Sequence, residues 1–310
     1  MHMRAFDYLR VIAEIGSLRG AAQKIGITAT ALSRQIEHLE YYFRVKLLER
    51  DQRGIRLTPA GNIVVETAEK VLHELDNTQK RVDDLKGLRS GLVNIRVSSS
   101  TLTTMVAPAL LSLNDEYPGL RFLVEVSSAP LVGEALVAGK ADLGLTIFAP
   151  DLSELTLCKR LPVVHCAIMA PSHPLSNNTM ISLHDLPHHT LSIPDSAYFV
   201  RRAFDRAVKS NGISLDPVFI TGAFELQIEL ALCGRAILFL PEFSCHNYIM
   251  NGQLCAVSLA HDLQVPTSLD LLKASHKPLS TAARIVSTRI GEIMTKMGSN
   301  QIASTRALSL

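Results

Sequence analysis

Residues 16–61 read GSLRGAAQKIGITATALSRQIEHLEYYFRVKLLERDQRGIRLTPAG, and the fold turns on how this stretch is parsed. Ser17 stands where a hydroxyl can cap a short helix, Leu18 to Ile25, which Gly26 then ends. Thr28 can cap a longer helix whose apolar stripe is Leu32, Ile36, Leu39 and Phe43. Upstream, residues 5–15 place Phe6, Leu9, Ile12 and Ala13 on one helical face. A two-turn helix, a glycine turn and a longer helix make a helix-turn-helix, and the small Ala21 and Ala22 let the two helices cross closely. The outer face of the third helix would carry Ala29, Thr30, Ser33, Arg34 and Glu37. Hydroxyls and a guanidinium near a helix N-terminus suit base edges and phosphates in a major groove. Leu47 to Arg50 and Ile55 to Leu57 read as two strands around a turn, a wing with Arg53 at its tip. Taken singly, Ser33, Arg34 and Arg53 would pass for an ordinary solvated surface; their order along the chain is what carries meaning.

That order is specific. Gly16-Ser17-Leu18, Ala21-Ala22, Ala31 to Ile36, Leu39-Glu40, Leu47 to Arg50 and Leu57-Thr58-Pro59-Ala60-Gly61 together resemble the LysR-type transcriptional regulators. The resemblance implies a head that binds double-stranded DNA, with contacts expected at Arg19, Thr28, Thr30, Ser33, Arg34 and Arg53. Ala29 stands where the family pattern usually has Gln, so a family operator sequence does not carry over. Charge agrees with a polyanion partner. Residues 1–58 hold ten Lys/Arg against six Asp/Glu, whereas the rest of the chain holds 21 against 23.

Thr58-Pro59 is a helix start, a capping hydroxyl followed by Pro at the first helical position. From there Val64, Ala68, Val71, Leu75, Thr78, Val82 and Leu85 recur at alternating steps of four and three. A helix lying on its own domain also needs an apolar stripe, but a strict 3.5-residue period favours a partner helix. Val64, Val71, Leu75, Val82 and Leu85 are therefore expected to face a second copy, and the resemblance implies a homodimer or homotetramer. Two reading heads related by a two-fold axis suit a quasi-palindromic site.

After Gly87 and Ser90-Gly91, strands and helices alternate. Strands are expected at Val93–Ser98, Arg121–Val126, Asp142–Ile147, Val163–Ala170, Thr190–Ile193, Val218–Thr221, Ala236–Leu240 and Ser268–Ala274. Helices are expected at Thr103–Tyr117, Leu131–Ala138, Phe199–Ser210, Phe224–Cys233 and Thr281–Met297. This spacing predicts an α/β domain with mainly parallel sheet. More loosely, Tyr117-Pro118, Gly139 to Leu143, His173-Pro174-Leu175 and the Gly234–Pro241 spacing resemble the family's effector domain, akin to periplasmic binding proteins. The expected multidomain organisation is an all-α winged helix-turn-helix at 1–58 and a linker helix at 59–89. An α/β two-lobed effector domain follows, one lobe at 90–162 and 267–297, the other at 163–266, and then a flexible tail at 298–310.

Ligands of open α/β sheets sit beyond the carboxyl ends of strands. Those ends hold Ser100, Thr101, Ser128 and Phe148 in one lobe and Ser196 and Thr221 in the other, so these residues are expected to line an effector cleft. Hydroxyls beside free helix N–H groups suit a small anion such as a carboxylate, although each could simply cap its helix. No GxSxG, Walker loop, GxGxxG or HExxH is present, so neither catalytic residue, cofactor nor metal ligand is assigned, and an enzyme fused to a DNA-binding head is the weaker reading. Pro187 breaks any helix that would align His184, His188 and His189. The five cysteines form no CxxC, and a redox-sensing pair such as Cys245 and Cys255 is an alternative. The sequence contains neither a signal-peptide pattern nor an apolar run long enough to cross a bilayer, which places the chain in the cytoplasm rather than among exported solute receptors.

Overall fold

The computed structural model describes residues 4–51, 54–84, 91–148, 153–196, 198–261, 263–264 and 267–307. Arg53 and Leu85 lie outside them. The chain divides into two units, Met1–Val82 and Asp83–Leu310.

In the first unit, α1 (Arg4–Ile15), α2 (Leu18–Ile25) and α3 (Ala29–Phe43) pack around Leu9, Ile12, Ala21, Ala22, Leu32, Ile36 and Leu39. Each helix boundary has a local cause. The Ser17 hydroxyl accepts from the Gly20 amide, Gly26 ends α2 in the left-handed conformation, and Thr28 accepts from the Ala31 amide at 3.2 Å. Strands β1 (Leu48–Asp51) and β2 (Gly54–Leu57) pair antiparallel, and the Ile55 amide donates to the Gly16 carbonyl, docking the wing on the α1–α2 turn. Glu40 ties α3 to this wing. Its carboxylate accepts from the amides of Leu47 (2.9 Å) and Leu48 (3.3 Å) and from Lys46 Nζ (2.6 Å). Helix α4 (Pro59–Asp84) starts where the Thr58 hydroxyl accepts from the Gly61 amide and donates to the Lys46 carbonyl. Gly61 is required there: a Cβ would lie 2.1 Å from the Leu47 carbonyl oxygen.

The second unit holds two sheets. The first contains β3 (Gly91–Val97), β4 (Leu120–Val126), β5 (Leu143–Ile147), β6 (Leu155–Val163) and β13 (Thr267–Ala274), in the order β4-β3-β5-β13-β6. The second contains β7 (His165–Met169), β8 (Met180–Ile181), β9 (Leu191–Ile193), β10 (Phe219–Ile220), β11 (Ile237–Pro241) and β12 (Cys255–Leu259), in the order β10-β9-β11-β7-β12-β8. The expectation of mainly parallel sheets is corrected: both are mixed. Strand β3 runs parallel to β4 and β5, but β13 is antiparallel to β5 and β6, and β7 is antiparallel to β11 and β12. The chain passes between the lobes twice, and the strands on either side of each crossing, β6 with β7 and β12 with β13, each run antiparallel to at least one neighbour.

In the first lobe α5 (Ala107–Glu116) and α10 (Thr281–Ala307) share a core with Val93, Ile95, Val97, Leu143 and Leu145, while α6 (Ala129–Val137) contacts β3, β5, β6 and β13. In the second lobe α7 (Phe199–Ser210), α8 (Phe224–Leu232) and α9 (His246–Met250) accompany the sheet. Two further corrections concern ends. The helix expected to stop at Met297 runs to Ala307, because no Pro and no left-handed residue interrupts the ladder beyond Met297. Strand β6, over a segment where no strand is expected, is an edge strand, the place where Pro162 is tolerated. Ahead of α5, Leu102–Val106 forms a π turn in which the Ala107 amide donates to the Leu102 carbonyl. Pro108 explains it: the ring has no N–H for the Thr104 carbonyl and would crowd it in a tight turn.

Candidate functional site

In the head, the buried side of α3 leaves Thr30, Arg34, Glu37 and His38 exposed, with Ser33 half-buried among them. Arg19 on α2 is exposed as well. Thr28 spends its hydroxyl oxygen on the Ala31 amide, so its first role is to cap the helix. Thr30, Arg34 and Arg19 make no hydrogen bond or ion pair among the described residues, whereas the Ser33 hydroxyl donates to Glu37 Oε1 at 3.3 Å. Burial raises the Glu40 carboxyl, but Lys46 and the Leu47 and Leu48 amides outweigh it and hold the group below its ordinary value. The helix that carries the exposed face is thus pinned at both ends.

The α4 stripe divides. Val64 and Ala68 are buried in the head's own core beside Leu47, so Val64 is withdrawn from the partner-facing set. The reason is geometric: Thr58 holds the start of α4 against Lys46 and Leu47. Val71, Leu75 and Val82 are 41, 39 and 45% exposed.

In the first lobe, the strand ends carry a hydroxyl cluster. Thr101 is buried and donates to the Ser98 carbonyl at 2.7 Å, and the Ser98 and Thr146 hydroxyls lie 3.0 Å apart. Ser100 is buried, while Ser128 sits at the start of α6 and makes no capping bond. Arg96 and Thr146 were absent from the sequence reading. Arg96 Nη1 donates to the Ser127 hydroxyl at 3.2 Å and pairs with Glu125 at 2.7 Å, so a cation does stand at these strand ends. Its alternation with Leu92, Asn94 and Ser98 along β3 was the available signal. In the second lobe Thr221 caps its own turn, its hydroxyl accepting from the Ala223 amide, and the Ser196 carbonyl accepts from Arg202 Nη1.

Two aromatic contacts join the lobes. Phe148, with φ +59°, sets its ring 4.1 Å from Phe199 at the start of α7, and the guanidinium carbons of Arg202 and Arg206 each lie 5.8 Å from the Phe199 ring centre. Phe243, after β11, is buried in the first lobe's core, and its turn meets Ser99–Thr101 and the π turn. Burial weighs against the cysteine-pair alternative. Burial pushes the Cys245 thiol up to about 12 and the Cys166 thiol up to about 11, and Cys255 is raised by burial with its Sγ donating to the Met169 carbonyl. Thiols held this high supply little nucleophilic thiolate at neutral pH. Among the described residues no three His, Cys, Asp or Glu side chains gather as metal ligands, and no helix is long and apolar enough to cross a membrane.

Residues 3–62 match the model for the bacterial regulatory helix-turn-helix protein, lysR family, and residues 86–292 match the LysR substrate binding domain. The chain belongs to the LysR family. The regulator is 27% identical to the HTH-type transcriptional regulator YvbU of Bacillus subtilis over 88% of its length and 92% of that protein. It is 25% identical to the HTH-type transcriptional activator CmpR of Synechocystis, over 83% and 84% respectively. Its fold is similar to that of full-length CbnR in complex with target DNA, at a TM-score of 0.66 and 19% identity, covering 96% of the regulator and 99% of that chain. It is therefore a DNA-binding transcriptional regulator with a helix-turn-helix head and a substrate-binding domain.

Proposed function

We propose that the regulator acts in the cytoplasm, binds promoter DNA as a homodimer or homotetramer, and answers to a small anionic effector held between its C-terminal lobes. The observation that carries the DNA half is the bare N-terminal face of a doubly anchored α3, with Thr30 and Arg34 outward. Oligomerisation is supported by Val71, Leu75 and Val82, a stripe of exposed apolar side chains along one helix. Arg53 completes the proposed DNA-contacting set. For the effector, Ser100, Thr101, Ser128, Phe148, Ser196 and Thr221 remain the proposed lining, now with Arg96 as the positive charge beside Ser127. A neutral hydroxyl cluster backed by one partly compensated guanidinium favours a carboxylate over a dianion. No catalytic step belongs to this reading.

Arg34→Ala in the full chain should weaken sequence-specific duplex binding by about 1–3 kcal/mol if it reads a base. It should instead flatten the salt dependence if it meets only phosphate. Unchanged affinity and unchanged salt slope would return Arg34 to plain surface. Titration calorimetry with a panel of organic acids tests the effector half, repeated with Ser128→Ala. Heat that survives undiminished in that variant places the acid elsewhere.

A further inference from the structure

Glu37 stands out on α3, because a carboxylate on the face turned toward a polyanion opposes binding unless it is used. Thr30, Ser33, Arg34 and Glu37 fall at steps of three and four, so they form one stripe running outward from the Thr28 cap. From Thr30 to Glu37 the helix rises about 10 Å, a length that passes about three base-pair steps. The carboxylate is also oriented. Ser33 donates to its Oε1 at 3.3 Å, which leaves Oε2 and the remaining lone pairs able to accept. Lys46, the cation that feels its charge, is already bonded to Glu40 at 2.6 Å. An acceptor-only group, held by its neighbour and set beside an outward guanidinium, matches the amino donors of the major groove; of these, cytosine N4 fits a carboxylate better than adenine N6, which has the N7 acceptor beside it.

Resting on the DNA-binding reading, we propose that Glu37 is a specificity-determining residue that accepts a hydrogen bond from a cytosine amino group, once per half-site. The same carboxylate repels the O6 and N7 acceptors of guanine, so it selects both by attraction and by exclusion. The Ser33 hydroxyl is its positioning partner.

The test selects binding sites from a pool of randomised duplexes with the full-length regulator, Glu37→Ala and Glu37→Gln. The wild-type pool should fix a cytosine at one position of each half-site, with about 5- to 100-fold discrimination. Glu37→Ala should lose preference at that position alone, and Glu37→Gln should move it toward adenine, which offers Gln a donor and an acceptor. Replacing that cytosine by 2-pyrimidinone, which lacks the amino group, should weaken wild-type binding and leave Glu37→Ala untouched. The assignment is overturned if Glu37→Ala keeps every base preference and binds all duplexes more tightly by a common factor, with a steeper salt dependence. That result would make Glu37 a phosphate repellent only. A wild-type chain that enriches no duplex would overturn the DNA-binding reading along with it, and so separates the two failures.

Discussion

His165 shows how much one buried side chain can govern. It opens β7, is fully buried, and its Nδ1 lies 3.3 Å from the Thr267 hydroxyl, which itself donates to the Val163 carbonyl at 2.6 Å. The hydroxyl proton being spent there, its oxygen is the acceptor and Nδ1 carries the ring proton. Ile193, Arg201, Phe204, Phe239, Leu259 and Leu263 are among the residues that line a pocket of about 20 Å³ with it, and burial lowers the imidazole to about 4. The unfolded chain, with an ordinary value near 6.5, binds the extra proton between those two values, so stability falls as pH drops through that window. The loss should approach about 3 kcal/mol by pH 4. Urea midpoints of the C-terminal unit at pH 7, 6 and 5 measure it, and His165→Gln should flatten the profile. An equally steep profile in the variant would place the acid sensitivity in other groups. Nothing in the run VVHCAIM marked this histidine, since its burial depends on residues as distant as Thr267, 102 positions along the chain. The caps at Ser17, Gly26 and Thr28 were readable for the opposite reason: each is settled within three residues.

At the scale of the element, α4 gives the sharpest test. Leu75→Asp sets a charge in the middle of the exposed stripe, and desolvating it opposes pairing strongly. Sedimentation should show loss of the dimer formed through α4, with weaker binding to a two-half-site duplex. A variant still dimeric through this helix would mean that Val71, Leu75 and Val82 have another use. The heptad itself was legible, but its division was not, because Val64 and Ala68 satisfy the same period while serving the head's own core. Periodicity identifies a buried stripe and is silent about what buries it. The π turn was likewise hidden. Pro108 near a helix start is ordinary in sequence, and only the Ala107–Leu102 hydrogen bond shows the widened turn.

For the whole molecule, Phe148, Phe199 and Phe243 join the two lobes. Phe243→Ala removes a ring from the first lobe's core and should cost about 3–5 kcal/mol. Phe199→Ala loses an aromatic contact worth about 0.5–1.5 kcal/mol beyond its area. Chemical denaturation of the two variants should keep that order, with Phe199→Ala the milder. Equal losses would show that Phe243 is a surface plug rather than a shared core residue. These contacts pair residues 51 and more than 90 positions apart, and no local pattern announces them. The alternation of strands and helices did announce two α/β lobes, while the direction of β6 and β13 depended on where the chain returns.

That return has a consequence for how the protein is made. Strand β13 lies inside the first sheet, between β5 and β6, yet it is synthesised after every strand of the second sheet. Until residue 274 has left the ribosome, β6 has no neighbour to pair with and β5 shows an open edge. The inserted lobe, whose strands all fall between His165 and Leu259, meets no such delay. Birth order and architectural order are therefore reversed: the guest lobe matures before its host. A nascent chain halted just short of β13 should resist protease across 165–259 and be cut within 91–163, and the closing strand should protect both at once.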